Sequence, residues 1–371
     1  MEFTVERENL LGALYLAQGV VERRTPIPVL SHVMLIADGQ SVTIAATDQQ
    51  VGIRRRIEAG VRKKGRATGN GRMLYEIVRE LPEGEVTVKA TENRWLEIVG
   101  GKARFKVVGV DPEEFPAMPE MPRSKKGVER LGAEVLREMI VRTQFAVASD
   151  ETRINLAGIY VEKLGEASLR MVATDGHRLA MVTREVGSCA GPWGVILPRK
   201  GVGELRRLLE AGPEGLEVSL VHDGGLVHVG AGDVELSMRL VEGEFPDYKQ
   251  VLPKKLPRRV VVSARDLAGA LRRVSLVSSD VSHGVRLSFA DSTLKVSSMN
   301  PERGEAEEEV EVSLEGEPVS VGFNARYLLD VLGVVAPDAS ITLWLGDELS
   351  PAKLEADDDP DFAYVVMPMR L

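Results

Sequence analysis

An aspartate and a histidine stand two residues apart in the stretch from Val172 to Ala180, which reads Val-Ala-Thr-Asp-Gly-His-Arg-Leu-Ala. A carboxylate beside an imidazole is a pattern used in general acid-base catalysis, so Asp175 and His177 suggest a hydrolase. The rest of the sequence does not support this chemistry. No Ser or Cys stands in a nucleophile-elbow motif, and the five histidines lack metal-ligand spacing. We therefore favour a binding or structural role for His177 and keep hydrolysis as an alternative.

The same stretch predicts the tip of a β-hairpin. Asp-Gly is a turn dipeptide, and it lies between two runs of strand character, Leu169 to Ala173 and Leu179 to Thr183. An Ala-Thr-Asp sequence also leads into a predicted hairpin turn at Asp48, and a third predicted hairpin turns after Asn300. These turns lie about 125 residues apart, which indicates an internal repeat.

Each predicted hairpin lies between two predicted amphipathic helices. The helices before the hairpins cover residues 7–21, 132–148 and 264–277, and those after them cover 71–81, 200–209 and 324–332. A turn and a strand follow each second helix, and each unit closes on an aromatic and proline pattern such as Phe245-Pro-Asp-Tyr248. The pattern predicts an α+β protein in which one β-α-β-rich unit is used three times.

Two segments dense in proline and charge mark the borders of the repeat. The first runs from Asp111 through Pro122 to Gly127, and the second is Leu252-Pro-Lys-Lys-Leu-Pro257. Linkers between domains commonly have this composition. The predicted domains are therefore residues 1–122, 128–251 and 258–371.

The bulk composition is that of a globular protein, with 44% hydrophobic and 28% charged residues in a chain of 371. No segment approaches the roughly 20 consecutive apolar residues of a membrane-spanning helix. The N-terminus lacks the basic-then-apolar order of a signal peptide. The single cysteine, Cys189, excludes an intramolecular disulfide and fits a reducing compartment, so we expect a cytoplasmic protein.

The net charge of −9 argues against nucleic-acid binding, but it is an average over a chain whose charge is unevenly distributed. Over residues 8–24, 71–81, 132–148, 197–210, 264–279 and 324–333, the predicted helices together carry +4, which leaves −13 for the rest of the chain. If the helices share one surface, that surface is basic within an acidic body. The alternative is that helices simply carry Arg and Lys on solvated faces.

Two local features point to partners. Arg199 and Lys200 stand at the start of a predicted helix, where cations oppose the helix dipole, and an anionic partner would relieve that conflict. The C-terminus, Tyr364-Val-Val-Met-Pro-Met-Arg-Leu371, is apolar almost to its last residue, although chain ends are usually polar. We interpret Tyr364 to Val366 as a last strand and Met367 to Leu371 as the wall of an apolar groove.

Several motifs together resemble those of the bacterial DNA sliding clamp, the beta subunit of DNA polymerase III. They are Phe3-Thr-Val-Glu-Arg7, the Ala-Thr-Asp-Gly-His-Arg-Leu-Ala stretch, Leu197-Pro-Arg-Lys-Gly-Val202, Phe245-Pro-Asp-Tyr248, Gly322-Phe-Asn-Ala-Arg-Tyr327, Asn300-Pro-Glu with Glu305-Ala-Glu-Glu308, and the terminal Tyr-Val-Val-Met-Pro-Met-Arg-Leu. The resemblance spans the whole chain in order.

The resemblance implies the DNA clamp fold, in which two chains meet head to tail and close a six-unit ring around duplex DNA. It implies a processivity factor that slides without sequence specificity and has no catalytic site, cofactor or metal. The implied partners are a second copy of the chain, the replicative polymerase, the clamp loader, and other polymerases and repair proteins that carry short peptide motifs. The charge split agrees with basic helices inside such a ring.

The resemblance also implies residue roles. For a partner-peptide groove between the second and third units they are Leu156, Thr174, Gly176, His177, Arg178, Leu179, Pro246, Val251, Val365, Val366, Met367, Pro368, Met369 and Arg370. For DNA contact they are Arg24, Arg72, Arg153, Arg199 and Lys200, with Asp150 and Glu151 opposing phosphate beside Arg153. For the subunit interface they are Lys102, Arg104, Phe105 and Val107 of one chain against Leu276, Val277, Glu305, Glu307 and Glu308 of the other.

Two other classes of protein stay open at this point. A monomeric peptide-binding scaffold would keep the groove and form no ring. A hydrolase would use Asp175 and His177, and replacing His177 would abolish its turnover.

Overall fold

The computed structural model describes residues 1–22, 24–122, 128–150, 152–165, 167–186, 193–253 and 255–371. Arg23, Glu151 and Cys189 lie outside the described residues. Within these ranges no helix is both long enough and apolar enough to span a bilayer.

Six α-helices lie within the described part of the chain: α1 Arg7–Val20, α2 Gly71–Glu80, α3 Ala133–Gln144, α4 Arg199–Ala211, α5 Ala264–Val274 and α6 Ala325–Leu332. All six were predicted from the repeat. Three begin at side chains that accept a backbone N–H, namely Asn70 from Met73, Ser263 from Asp266 and Asn324 from Arg326. The prediction runs too long at α5, because a 3₁₀ turn over Ser275–Val277 replaces the last helical turn.

The described residues pack as two compact units. Of these residues, unit 1 comprises those within 1–137, Val186 and those within 200–240, and unit 2 comprises those within 138–185, 193–199 and 241–371. These units do not follow the three predicted domains, because each contains a sheet whose strands come from two consecutive repeats. The predicted domain borders therefore stay predictions.

Unit 1 contains two of the described sheets. Its strands are β1 Glu2–Glu6, β2 His32–Asp38, β3 Ser41–Thr47, β4 Val51–Glu58, β5 Gly60–Lys63, β6 Gly65–Asn70, β7 Glu85–Ala90, β8 Trp95–Gly100, β9 Ala103–Val108, β10 Val128–Gly132, β15 Glu217–Asp223, β16 Leu226–Ala231 and β17 Val234–Arg239. One sheet has the order β5-β1-β7-β8-β9, and the other has the order β10-β15-β16-β17-β4-β3-β2-β6. The second sheet joins repeats one and two through the pair β4 and β17.

Unit 2 is built in the same way. Its strands are β11 Gly158–Leu164, β12 Ser168–Thr174, β13 Arg178–Glu185, β14 Gly194–Pro198, β18 Arg258–Ser263, β19 Gly284–Ala290, β20 Thr293–Asn300, β21 Gly304–Glu311, β22 Ser313–Glu315, β23 Val319–Asn324, β24 Ser340–Leu345, β25 Ala352–Ala356 and β26 Asp359–Val366. One sheet has the order β14-β11-β12-β13-β26-β25-β24-β18-β22, and the other β21-β20-β19-β23. The pair β13 and β26 joins repeats two and three.

Every strand pairing in the described residues is antiparallel, as the hairpins β3–β4, β12–β13 and β20–β21 illustrate. A βαβ unit pairs its two strands in parallel, so the description of the repeat as β-α-β-rich holds for element order and is wrong for pairing. Arg54 to Arg56 lie on a strand inside its sheet. Strand β4 lies between β3 and β17, and Arg55 there pairs with Asp233 at 2.9 Å.

The three predicted hairpin turns share one hydrogen-bond pattern. The carboxylate of Asp48 accepts the backbone N–H of Gln50 and Val51, and that of Asp175 accepts the N–H of His177 and Arg178. In the third hairpin the side chain of Asn300 accepts the N–H of Glu302. An Asx side chain that closes its own turn explains why the sequence repeats there.

Candidate functional site

The hairpin tip between β12 and β13 carries four of the predicted groove residues. Thr174 and Arg178 flank the turn, and Gly176 and His177 are exposed at its tip. Gly176 has φ +89°, in the left-handed region that glycine tolerates. The carboxylate of Asp175 accepts N–H bonds of 2.9 and 3.1 Å from His177 and Arg178, so it closes the turn instead of pairing with the imidazole.

An apolar floor lies behind this tip. Leu179 on β13 pairs with Val365 on β26, and both pack with Val172 and Tyr248 in a buried cluster. Phe245 stacks on Tyr160 at a centroid distance of 4.9 Å and an interplanar angle of 7°. The segment after Val241 therefore covers this face of the sheet through Phe245 and Tyr248, next to the β13 and β26 pair.

Four predicted groove residues lie beneath the surface. Leu156 is 7% exposed, Leu179 2%, Val365 1% and Val366 0%. Leu179 and Val365 belong to the buried cluster, and little of the area of any of these four residues is available to a ligand. Pro246 and Val251 are exposed beside them, with Val251 at 36%. Next to Val251, the Gln250 amide donates to Asp247 at 2.9 Å, so this polar group turns back on its own segment.

The C-terminal residues form the predicted wall. Strand β26 ends at Val366, and Met367, Pro368 and Met369 are half-buried while Arg370 is exposed. The N–H of Met367 donates to the carbonyl of His177 at 2.8 Å, and that of Met369 donates to Gly322 at 2.8 Å. The wall is thus tied both to the hairpin tip and to the edge of strand β23.

Leu371 anchors the end of this wall, a role that the sequence did not indicate. Its side chain lies over Gly284 and Gly322, where a Cβ would stand 2.4 Å from Leu371 Cδ2 and 2.8 Å from its Cγ, respectively. Larger residues at these two positions would displace the tail. The Gly322-Phe-Asn-Ala-Arg-Tyr327 motif is the signal that could have pointed to this contact, since it contains one of the two glycines.

Three predicted DNA contacts come together in unit 1. Arg24, Arg72 and Lys200 line a depression of about 760 Å³ with Gly19, Val21 and Glu22. Arg24 is exposed, and Arg72 pairs with Glu76 at 2.8 Å on the surface of α2. Two exposed guanidinium groups beside an open depression are suited to phosphate contact.

Lys200 is placed differently from the other two cations. Its ammonium donates to the carbonyl of Val20 at 2.9 Å and to Glu22 at 3.3 Å, and it forms an ion pair with Asp48. Burial alone would lower the pKa of Lys200, but the carboxylates of Asp48 and Glu22 outweigh it and raise the pKa. The anionic partner that the helix start requires is therefore supplied by the chain itself, so the prediction of an outside anion at Lys200 is not needed.

Arg153 and Arg199 belong to unit 2. Arg153 donates from Nη1 to the carbonyl of Asp175 at 3.0 Å, so it lies against the groove's hairpin tip. Arg199 is exposed at the first position of α4. Beside Arg153, hydrogen bonds from Thr152 lower the pKa of Asp150, which keeps a negative charge in this loop.

The residues predicted for a subunit interface lie on or just before two edge strands, except Leu276 and Val277, which lie in the 3₁₀ turn after α5. Strand β9 ends the five-stranded sheet of unit 1, and strand β21 ends the four-stranded sheet of unit 2. Phe105 is 37% exposed and Leu276 is 77% exposed, whereas Val107 is 7% exposed and faces the core. Lys102 and Arg104 are exposed, and Val277 is half-buried.

The acidic residues of β21 divide between its two faces. Glu305 and Glu307 are on the exposed face, and Glu307 pairs with Lys295. Glu308 points to the other face, where it accepts a 2.8 Å hydrogen bond from Arg273 on α5. Glu307 and Glu308 both pair within the chain, but the Glu307 side chain is 68% exposed against 29% for Glu308, so Glu305 and Glu307 are the more accessible members of the predicted set.

Comparisons with known proteins agree with this architecture. Family models of the DNA polymerase III beta subunit match in three consecutive parts, the N-terminal domain over residues 1–119, the central domain over 130–247 and the C-terminal domain over 249–370. The chain is 39% identical to the beta sliding clamp of Pseudomonas putida over the full length of both chains. Among solved structures, it is similar to the griselimycin-bound clamps of Pseudomonas aeruginosa, at 38% identity and TM-score 0.92, and Bartonella birtlesii, at 35% identity and TM-score 0.94, each with full coverage of both chains.

These matches define the class of the protein as a three-domain sliding clamp with mixed helix and sheet, which confirms the predicted α+β clamp fold. The chain belongs to the DNA polymerase III beta subunit family. It is a processivity factor of DNA polymerase III, and this family is not catalytic. The hydrolase alternative based on Asp175 and His177 is therefore wrong.

Proposed function

We propose that two copies of this chain close head to tail into a ring that encircles duplex DNA, slides along it without reading sequence, and tethers partners through the groove of unit 2. The partners are the replicative polymerase, the clamp loader, and other polymerases and repair proteins with short extended peptides. The observation that carries the ring concerns β9 and β21, two of the strands that end a sheet and have no partner strand on one side within the described part of the chain.

The two edges are complementary in charge and in apolar surface. Strand β9 and its turn carry Lys102, Arg104 and Lys106, and strand β21 carries five glutamates between 305 and 311. Phe105 and Leu276 add exposed apolar side chains beside these charges. An open strand edge is a template for pairing with another chain, so antiparallel pairing of β9 with the β21 of a second copy satisfies both edges. A head-to-tail contact of this kind forms a closed ring when the rotation between the copies allows it.

The DNA-facing surface is supported by cations on the helices and in the loop after α1. Arg24 and Arg72 line one depression, and Arg199 is exposed at the start of α4. Guanidinium groups that reach phosphates without reading base edges give binding that is independent of sequence and sensitive to salt. Retention by a closed ring needs no tight contact, so a few mobile cations are sufficient.

The groove is supported by its composition. An apolar floor of Leu179 and Val365 lies beside exposed Pro246 and Val251 and a wall of two half-buried methionines. Flexible methionine side chains adapt to several partners, and extended peptides use apolar anchors of this kind. The clamps of Pseudomonas aeruginosa and Bartonella birtlesii bind griselimycin, so members of this family do take a ligand.

Small-angle X-ray scattering of the pure protein tests the ring. We expect a mass of two 40.5 kDa chains and a pair-distance distribution with the shape of a hollow ring. A compact particle with the mass of a single chain would contradict the ring. The protein would then act as a monomeric peptide-binding scaffold through the same groove.

A further inference from the structure

The Arg178 side chain is 9% exposed, although the resemblance places Arg178 among the residues that contact a peptide. Its Nε donates to Asp175 Oδ2 at 3.1 Å, its Nη1 to Asp330 Oδ2 at 2.5 Å, and its Nη2 to the carbonyl of Phe145 at 2.6 Å. All three guanidinium nitrogens are thus engaged within unit 2. Three of the five N–H donors make these bonds, and the low exposure of the side chain leaves little of it accessible to a ligand.

Two aromatic rings enclose the same guanidinium. Its central carbon lies 4.4 Å from the ring centroid of Tyr327 and 5.6 Å from that of Phe145. The planar cation is favourable in this position because it interacts with the faces of the rings while its edges keep their hydrogen bonds. Burial alone would lower the pKa of Arg178, but the surrounding acidic groups Tyr364, Asp330 and Asp175 raise it, so the group stays charged.

These contacts join three separate elements. Asp175 belongs to the hairpin tip, Phe145 directly follows α3, and Tyr327 and Asp330 lie on α6. The imidazole of His177 stacks on Tyr327 at a centroid distance of 6.4 Å, so the exposed tip rests on α6 as well. Tyr327 is held in turn by the hydroxyl of buried Tyr364, which donates to its carbonyl at 2.8 Å.

We propose that Arg178 is a positioning residue, which fixes the hairpin tip against α6 and so sets the rim of the peptide groove without holding the peptide through its guanidinium. The C-terminal wall depends on the same placement, because Met367 donates to the carbonyl of His177. This inference rests on the proposed function in one respect, namely that the groove is the peptide site. It adds Asp330, Tyr327 and Phe145 as supporting residues.

Asp330→Asn is the decisive variant. Asp330 has a side chain that is 44% exposed on α6, and its contact with the tip runs through Arg178. We expect Asp330→Asn to speed hydrogen exchange at the amides of His177, Arg178 and Met367 and to weaken binding of a labelled short peptide with leucine anchors, by about three- to thirtyfold. The matched control is Asp233→Asn, whose side chain is 47% exposed and pairs with Arg55 in unit 1. It should leave both readouts unchanged.

A second variant separates charge from geometry. Arg178→Lys keeps the positive charge and loses the fork, so we expect it to resemble Asp330→Asn in both exchange and affinity. The proposal is overturned if Asp330→Asn leaves tip exchange and affinity at wild-type values, or if Arg178→Lys retains wild-type affinity. If the wild-type chain itself fails to bind the peptide, the groove function is wrong. Hydrogen exchange in the free protein then still decides the role of Arg178.

Discussion

Lys200 is a cation whose charge is used inside the chain. It bridges the carbonyl of Val20, Glu22 and Asp48, and the Asp48 side chain is 4% exposed. Removing the ammonium leaves a nearly buried carboxylate without its partner. We expect Lys200→Gln to lower the free energy of unfolding by about 1–2 kcal/mol, less than for a fully buried pair because Lys200 is 37% exposed. Urea denaturation measures this difference.

The control is Lys64→Gln, which removes a lysine from a more exposed ion pair of unit 1. Lys64 and Asp38 are 73% and 70% exposed, so this pair should contribute close to nothing. Equal effects of the two substitutions would contradict the structural role of Lys200. The salt dependence of duplex binding distinguishes the two cations further. In a plot of the logarithm of the binding constant against the logarithm of the salt concentration, loss of Arg24 should reduce the slope by about one, and loss of Lys200 should leave it unchanged.

Tyr248 holds the segment that covers the groove floor. It is 4% exposed, its hydroxyl donates to Glu162, and Arg170 donates to the same oxygen at 3.1 Å. Burial and then the bond to Glu162 raise the pKa of Tyr248 from 10.0 to about 12. Because the folded state keeps this proton after the unfolded chain has lost it, stability is fully present below pH 10 and falls as the pH rises towards 12.

The expected loss from this one group is about 2–3 kcal/mol between those two pH values. Other residues also titrate there, so the measurement is the difference between wild type and Tyr248→Phe in urea denaturation across this range. The stability advantage of the wild-type chain should shrink as the pH rises. A constant difference would mean that Tyr248 ionises as an exposed phenol does.

Contacts between residues close in sequence could be predicted at this site, and contacts between residues far apart in sequence could not. Asp175 in an Ala-Thr-Asp-Gly stretch predicts its own turn, because the side chain bonds to backbone two and three residues away. The partner of Arg178 on α6, Asp330, lies 152 residues further along the chain. Only the fold brings such residues together, so periodicity and motif spacing could not have paired them.

At the scale of elements, strands of consecutive repeats pair in the same way twice, and we call each such strand pair a joint. Strand β4 pairs with β17 in unit 1 as β13 pairs with β26 in unit 2. The position of Leu179 is occupied in the first repeat by Gly52, where a Cβ would stand 2.9 Å from the terminal methyl of Met118. Arg54 fixes this segment by donating to the carbonyl of Met118 at 2.7 Å. Met118 of the chain itself thus lies against the position that corresponds to Leu179.

We therefore expect one peptide site per chain. Titration calorimetry with a short leucine-anchored peptide should give a stoichiometry of about one per chain, because the predicted groove residues lie at the second joint, whereas Met118 of the chain itself lies at the corresponding position of the first. Met367→Asp, which places a charge in the groove wall, should abolish all of the heat of binding. If the variant still bound peptide at half the stoichiometry of the wild type, the first joint would also be a peptide site.

The element boundaries were predictable where local signals are strong. Helices α2 and α6 start at Asn70 and Asn324, whose side chains cap them. The end of α5 was missed because Ser275 and Ser278 bond back to carbonyls at 272 and 275 and stabilise a 3₁₀ turn there. Serine side chains compete with helical hydrogen bonds in this way without changing the apolar periodicity.

At the scale of the whole molecule, the charge distribution separates two kinds of surface. The six helical stretches carry +4 in a chain of net charge −9. The acidic excess includes the β21 edge, where Glu305 and Glu307 are exposed, and the basic β9 edge lies in the other unit. The repeat predicted three domains of similar content. The joining of strands from consecutive repeats into single sheets could not be predicted, because edge pairing leaves no periodic signal in sequence.

Assembly should depend on Leu276 more than on any other exposed leucine. This residue is 77% exposed in the 3₁₀ turn after α5, on the side of unit 2 that carries strand β21. If it is buried against β9 of a second copy, Leu276→Asp places an unpaired charge in an apolar contact and costs several kcal/mol, about enough to give monomers at micromolar concentration. Sedimentation velocity should then report a mass of 40.5 kDa in place of two chains.

The matched control is Leu349→Asp. Leu349 is 59% exposed, and it lies between β24 and β25 and outside β9 and β21. This variant should sediment as the wild type does, since the new charge stays in water. A dimer that survives Leu276→Asp would move the interface away from the β21 edge. A wild-type chain that sediments as a monomer would remove the ring, and the groove of unit 2 would then have to carry the tethering function without encircling DNA.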